Sequence, residues 1–310
     1  MFLRTTQMQY PVRVEKPNPM LARQVQELLG GKYGEMTVMV QYLSQGWALR
    51  GTEGNAKLTR IKDMLLDTGT EEIAHVEMLS CMIAQLLDGA SPEQQAGAAS
   101  ANPAVLASLA GMNPQHLIVS GLGALISDSN GNPWSGAYVT ASGNVVADLY
   151  NDANAEQNGR LQASRVYELA DDAGVRDTLS FMLARDHMHQ MQFLAAVEEL
   201  GGPTVVLPVP DFPENQTKRE YAYAFMSYSA NPAGTTSGEG RWAQGPTPDG
   251  RGEFTYIAEP FGQGQMQPLP PAPAKVYDNL PGDPTGDVEK PAPAQAGSLL
   301  GKLEDKLSGG

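Results

Sequence analysis

Thiol chemistry is almost excluded from this chain, because one cysteine, Cys81, stands in 310 residues. A lone thiol closes no intrachain disulfide and supplies no thiolate cluster for a metal. Long apolar runs are missing as well. No stretch reaches the 18 residues that a membrane span demands, and MFLRTTQMQYPVRVEKPNP at the start has no apolar segment of the length a secretory signal carries. Positive charge is the third shortage, with 21 Lys and Arg against 35 Asp and Glu and a formal charge of −14. Phosphate backbones and anionic membranes repel such a surface, so nucleic acid and membrane are not expected partners; the missing apolar segments make the cytoplasm the expected location. Histidine is scarce too, with four in the chain. Any metal held here must be bound by carboxylates and imidazoles.

What is plentiful is unevenly placed. Of 23 prolines, 16 follow residue 202, in segments such as QMQPLPPAPAKVYDNLPGDP that break helices too often for regular structure. Residues 1–202 are the expected helical domain and residues 203–310 an extended proline-rich C-terminal arm. FMSYS, RWAQG and EFTYIAEPF within the arm carry aromatics, which favours packing on its own and neighbouring subunits over a solvated linker. Leu299, Leu300, Leu303 and Leu307 are spaced as an amphipathic turn and a half that would dock as a terminal clip.

Four helical patterns precede the arm. Asn18 followed by Pro19 marks the start of the first, which runs to residue 48. Over residues 55–87, Leu58, Ile61, Leu65, Thr68, Glu72, His75, Leu79, Met82 and Leu86 recur at intervals of three and four, which keeps them on one face. The third pattern, residues 145–170, puts Leu149, Ala153, Glu156, Arg160, Ala163 and Tyr167 on its stripe. The fourth, residues 175–200, does the same with Leu179, Met182, Asp186, His189, Phe193, Ala196 and Leu200. RGTEG joins the first pair and DDAG the second, links short enough to force antiparallel neighbours. Two helical hairpins and one long crossover predict a mainly α fold, a ferritin-like four-helix bundle.

These stripes ought to be apolar, yet each helix adds a carboxylate to its inward face. Glu72 and His75 in TEEIAHVEM, Asp186 and His189 in RDHMHQ, Glu35 in GKYGEMTVMVQY and Glu156 in NAEQNGR all break the pattern. An unpaired buried carboxylate is costly, so these groups must be paired, protonated or bound to a cation. An acid three residues before a histidine presents an oxygen and a nitrogen to the same point. One Glu from each of two helices, with acid-x-x-His from each of the other two, is how such a bundle holds two metal ions. A single histidine on an apolar face is ordinarily a hydrogen-bonded core residue; two matched pairs backed by seam carboxylates favour a dinuclear centre. Carboxylate and imidazole suit manganese or iron better than copper or a structural zinc. Glu71, Glu77 and His187 fall off the stripes and are expected in solvent or behind the ligands, and His116 lies in the crossover without an acidic neighbour.

GGKYGEMTVMVQYLSQ, DTGTEEIAHVEML, NAEQNGRLQASRVYE and LARDHMHQMQF resemble the four ligand-bearing segments of the manganese catalases. The resemblance implies disproportionation of hydrogen peroxide to water and dioxygen at two manganese ions per subunit, which cycle between Mn(II) and Mn(III) pairs. Its implied ligands are Glu35, Glu72, His75, Glu156 and His189, with Glu72 bridging. Asp186 stands where some members carry a proton-accepting Glu one methylene longer, and Tyr42 matches a tyrosine that hydrogen-bonds near the site. Different members have a basic outer residue where this chain has Ala155 and Ala163, leaving Arg160 as the nearby cation. Asp63 and Asp67 match acids that bind calcium in some members, with tail oxygens that here fall at Ser227 and Ser229; a solvated acidic face is the alternative. Long-tailed members assemble as hexamers, which makes a homohexamer the expected state. A di-iron carboxylate ferroxidase or oxidase of the same bundle class is the competing function, although it ordinarily has Glu in both acid-x-x-His pairs.

Overall fold

The computed structural model describes residues 6–88, 113–202, 219–228, 235–248, 250 and 252–258. Its long helices are α1 (Pro19–Gly30), α2 (Glu35–Ala48), α3 (Ala56–Leu87), α5 (Val145–Leu169) and α6 (Ala173–Leu200), with a short α4 (Pro114–Ile118) in the crossover. Side-chain oxygens of Asn18, Asn55, Asn144 and Asp172 accept first-turn backbone N–H groups at the starts of α1, α3, α5 and α6. No described helix is long and apolar enough to cross a membrane.

The first helix expected from the sequence is broken in two. Gly31 N–H donates to the Glu27 carbonyl at 2.9 Å and Gly34 N–H to the Gly31 carbonyl at 3.0 Å, closing a turn where the apolar period alone would continue. The preceding residue, Gly30, is pressed against the crossover: a Cβ there would lie 2.1 Å from the Ser127 carbonyl oxygen. Only a residue without a side chain permits that approach. Gly30→Ala is therefore expected to cost about 1–3 kcal/mol, since two backbone segments must separate. A lowered urea midpoint would register it; an unchanged midpoint would show that the crossover yields freely. One effect of the break is that Glu35 becomes the first residue of α2, at the positive end of that helix dipole.

α2 packs most extensively on α3, and α5 on α6. Two apolar clusters fill the bundle. Along α3 the buried order is Ile61 and Leu65, then Thr68, Glu72 and His75, then Leu79 and Met82. Along α5 it is Leu149 and Ala153, then Glu156, then Ala163 and Val166, whereas α6 runs the opposite way, from Leu179 and Met182 through Asp186 and His189 to Phe193 and Ala196. α3 and α5 are thus parallel across the long crossover, and each is antiparallel to its hairpin partner, the connectivity of a ferritin-like bundle. The ionisable residues form a layer between two apolar plugs.

Contacts divide the chain into two compact units, Met1–Ala224 with Gln244–Thr255, and Phe225–Ala243 with Tyr256–Gly310. In the first, Gly245 and Pro246 pair antiparallel with Phe254 and Glu253. In the second, Ser227 N–H donates to the Ile257 carbonyl at 2.9 Å and Phe225 stacks on Tyr256. The leucines expected to form a terminal clip, Leu299 to Leu307, lie outside the described residues.

Candidate metal centre

Four of the five long helices each deliver one part of the polar layer. Glu35 comes from the first turn of α2, Glu72 and His75 from the middle of α3, Glu156 from α5, and Asp186 and His189 from α6, and all six are buried. The fold therefore gathers the five residues implied as ligands. Two overlapping groups result, Glu35 with Glu72 and His75, and Glu72 with Glu156 and His189; within each, one donor atom per residue lies within 4.8 Å of the others. Glu72 is common to both. Its Oε2 is 2.6 Å from His75 Nδ1 and its Oε1 is 2.8 Å from His189 Nδ1. On the flanks, Glu35 Oε2 stands 3.5 Å from His75 Nδ1, and Glu156 Oε1 stands 3.7 Å from His189 Nδ1.

Both Glu72 oxygens and both Nδ1 atoms are fully buried without an aligned hydrogen-bond partner among the described residues. Lone pairs that converge without meeting a donor are what a cation requires, so the donor set fits a pair of divalent ions. The electrostatics agree. Burial opposes the Glu72 charge, yet the two imidazoles hold its carboxyl well below the usual carboxylate range. Burial, and then the Glu72 charge, push Glu35 up to about 8. Burial disfavours the imidazolium forms of His75 and His189, but Glu72 and the flanking carboxylates raise both above their ordinary value. These groups compete for positive charge that protons supply until a metal displaces them.

Asp186 sits beside the first group, its Oδ1 3.9 Å from His75 Nδ1, buried and without a hydrogen-bond partner among the described residues. Burial, with Glu35 and Glu156 nearby, raises its carboxyl well above the ordinary range. Tyr42 is fully buried, tilts against Phe193 at 4.9 Å between ring centroids, and donates its hydroxyl to Glu156 Oε1 at 2.6 Å. Ala155 and Ala163 are buried in the two apolar clusters. Arg160, the nearby cation, donates instead to Gln190 Oε1.

The remaining candidates separate clearly. Asp63 and Asp67 are exposed on α3 and line an open groove of about 380 Å³ with Arg60, Thr68 and Glu71. Ser227 is buried in the second unit, and Ser229 lies outside the described residues. Glu77 and His187 are exposed, whereas His116 is a core residue whose Nε2 lies 3.1 Å from Gln26 Oε1. Two features escaped the apolar stripes. Glu71, off the α3 stripe, lies against His189 and Arg185. Asp148 and Asp152 continue the Glu156 face of α5 at four-residue intervals, and fully buried Asp152 accepts Gln41 Nε2 and Gln45 Nε2, each at 2.8 Å. The interval of four was visible in the sequence, but an aspartate on a helix is ordinarily assigned to solvent.

Four helices around a buried carboxylate layer, with two imidazoles sharing one glutamate, define a ferritin-like carboxylate protein able to hold a dinuclear metal centre. Comparison with known proteins narrows the class. Residues 1–290 match the family described as manganese containing catalase. The chain is 45% identical over 282 residues to a manganese catalase of Bacillus subtilis, covering 91% of this chain and 99% of that one. A manganese catalase of Lactiplantibacillus plantarum is 40% identical over 281 residues, covering 90% and 99%. The crystal structure of KatB, a manganese catalase from Anabaena, superposes with a TM-score of 0.62 at 27% identity, over 84% of this chain and all of that one. This chain belongs to the manganese catalase family, whose reaction is the disproportionation of hydrogen peroxide at a dimanganese site.

Proposed function

We propose that Glu35, Glu72, His75, Glu156 and His189 hold two manganese ions, with Glu72 bridging them, and that this centre converts two molecules of hydrogen peroxide to two of water and one of dioxygen. The observation that carries the reading is the Glu72 carboxylate, whose two oxygens face different histidines at 2.6 and 2.8 Å. Two bound manganese ions would supply a two-electron reservoir, Mn(II) pair to Mn(III) pair and back.

The chain's own residues handle position and protons. Reducing one peroxide to two waters takes up two protons as well as two electrons, and oxidising the next to dioxygen returns them. Asp186, buried beside Glu35 and His75 and inclined to stay protonated, is placed to store and return a proton between the halves. Tyr42 holds Glu156 through its 2.6 Å hydrogen bond, which fixes the carboxylate on the His189 side.

Four finer assignments complete the proposal. Asp63 and Asp67 contribute carboxylates to a calcium site whose other oxygens come from the tail of a subunit; residues 203–310 act as an arm that packs on its own and neighbouring subunits; the assembly is a homohexamer; and the enzyme works in the cytoplasm. The resemblance of the sequence to long-tailed manganese catalases supports the first three.

Metal analysis of the purified protein, coupled to an oxygen electrode on addition of hydrogen peroxide, tests the reading. About two manganese ions per chain, one for each carboxylate–histidine group, with vigorous oxygen release are expected. Iron without oxygen release would transfer the chain to the di-iron ferroxidase alternative.

A further inference from the structure

We infer that Glu71 is a positioning residue that orients the His189 ring toward the metal, and that Arg185 and the N-terminal segment, through Gln9, lock Glu71 in place. The inference rests on the proposed ligand roles of Glu72, Glu156 and His189.

An imidazole binds a metal through one nitrogen only if the proton sits on the other. His189 turns Nδ1 toward Glu72 Oε1 at 2.8 Å and Glu156 Oε1 at 3.7 Å. Its Nε2 lies 3.0 Å from Glu71 Oε2, so Glu71 accepts the Nε2 proton and leaves the Nδ1 lone pair for the ion. Consecutive glutamates therefore flank one ring, Glu72 on the metal side and Glu71 behind it. Glu71 is itself held from two directions. Arg185, one turn before His189 on α6, donates Nε to Oε1 at 2.6 Å and Nη2 to Oε2 at 3.2 Å, a two-pronged grip that a lysine cannot copy. Gln9 Nε2 donates to Oε1 at 2.7 Å.

Gln9 brings in the N-terminal segment. The next residue, Tyr10, stacks on Phe181 of α6 with centroids 4.3 Å apart, and Glu15 N–H donates to the Asp172 carboxylate at 2.7 Å. Residues that precede the bundle thus reach the layer behind the metal centre. The arrangement is also one-sided. His75 Nε2 is 3.9 Å from Glu71 Oε1, beyond hydrogen-bond reach, and has no other partner among the described residues. Glu71 acts on the His189 ion and not on its neighbour.

That asymmetry makes the test selective. Glu71→Ala should keep one manganese ion per chain at wild-type affinity and weaken the other about ten- to hundredfold, measured by titrating the metal-free full chain with Mn(II) and following free ion by electron paramagnetic resonance. Limiting manganese should then give the resolved hyperfine lines of an isolated Mn(II) in place of a spin-coupled pair. Glu71→Gln, whose amide oxygen can still accept from Nε2, should fall between Ala and wild type, and Gln9→Ala should shift affinity in the same direction by a smaller factor. If Glu71→Ala does not fold, those two variants carry the comparison. Two ions bound by Glu71→Ala, or by Glu71→Gln and Gln9→Ala together, with wild-type affinity would overturn the inference, as would equal weakening of both ions. His189→Ala separates the layers: if it too binds two ions normally, the ligand assignment fails, whereas loss of an ion in His189→Ala alone removes only the role of Glu71.

Discussion

Glu72→Ala is expected to strip both metal ions from the protein and, with them, oxygen release from peroxide. No other substitution in the layer should match it, because Glu72 alone belongs to both donor groups. Glu35→Ala or Glu156→Ala leaves the opposite group complete and should weaken one ion. Loss of Glu72 reduces each side to one carboxylate and one imidazole. Its effect should exceed the ten- to hundredfold loss of affinity typical of a hydrogen-bond partner behind a ligand. Glu72→Gln is the sharper version: it preserves shape between the two imidazoles but replaces a charged oxygen with a neutral amide, and manganese favours hard anionic oxygen. It too should lose both ions. Manganese per chain after desalting and the initial rate of oxygen release are the two readouts. Retention of a metal pair with peroxide turnover in either variant would remove Glu72 from its bridging position.

Much of this centre could be read from the sequence because a charge on an apolar stripe is a violation that demands a cause. Glu72, His75, Asp186 and His189 interrupt runs of Leu, Met and Phe at the intervals that keep a helix face, so burial followed from period alone. The extent of α3 was equally plain, since the apolar period runs from residue 55 to 87 and the helix spans Ala56–Leu87. The break at Gly31 was not, because the apolar period was read straight through Gly30, Gly31 and Gly34; the fold adds a close approach of the Ser127 backbone to Gly30. Glu71 was left open between solvent and a place behind the ligands. A stripe describes one helix in isolation, and the His189 ring beside Glu71 belongs to α6. The readable hint was the Arg185 and His189 pair one turn apart, which places a cation beside an imidazole on a single face. His116 shows the reverse case, where the absence of an acidic neighbour in the sequence matched its partner in the fold, the neutral Gln26.

The metal-free protein should lose stability as pH rises from about 5 to 8.5, the opposite of the usual response of a carboxylate-rich protein to leaving acid. Glu35 has an ordinary value of 4.5 and is pushed up to about 8 in the fold by burial and by Glu72. Between those values the folded chain holds a proton that the unfolded chain has released, and stability falls with pH wherever the folded state binds more protons. Asp186 and Asp152, raised chiefly by burial, act in the same sense. His75 and His189 add to it from pH 6.5 upward, because the unfolded rings deprotonate there while the folded rings, facing Glu72, stay charged. Glu71 and Glu72 have the reverse sign, but their carboxyls are lowered, so their contribution is already complete above about pH 5.5 and cannot offset the fall. Each group with a raised value contributes up to about 1.4 kcal/mol per pH unit, and each kcal/mol corresponds to roughly 2–4 °C of melting temperature at this chain size. Manganese reverses the balance, because a donor atom on a cation cannot keep its proton. Melting curves of metal-free and manganese-loaded protein should therefore diverge with rising pH, the first descending and the second level or rising. A metal-free melting temperature that holds steady or climbs from pH 5.5 to 8.5 would mean that the buried layer is neutralised by something other than protons.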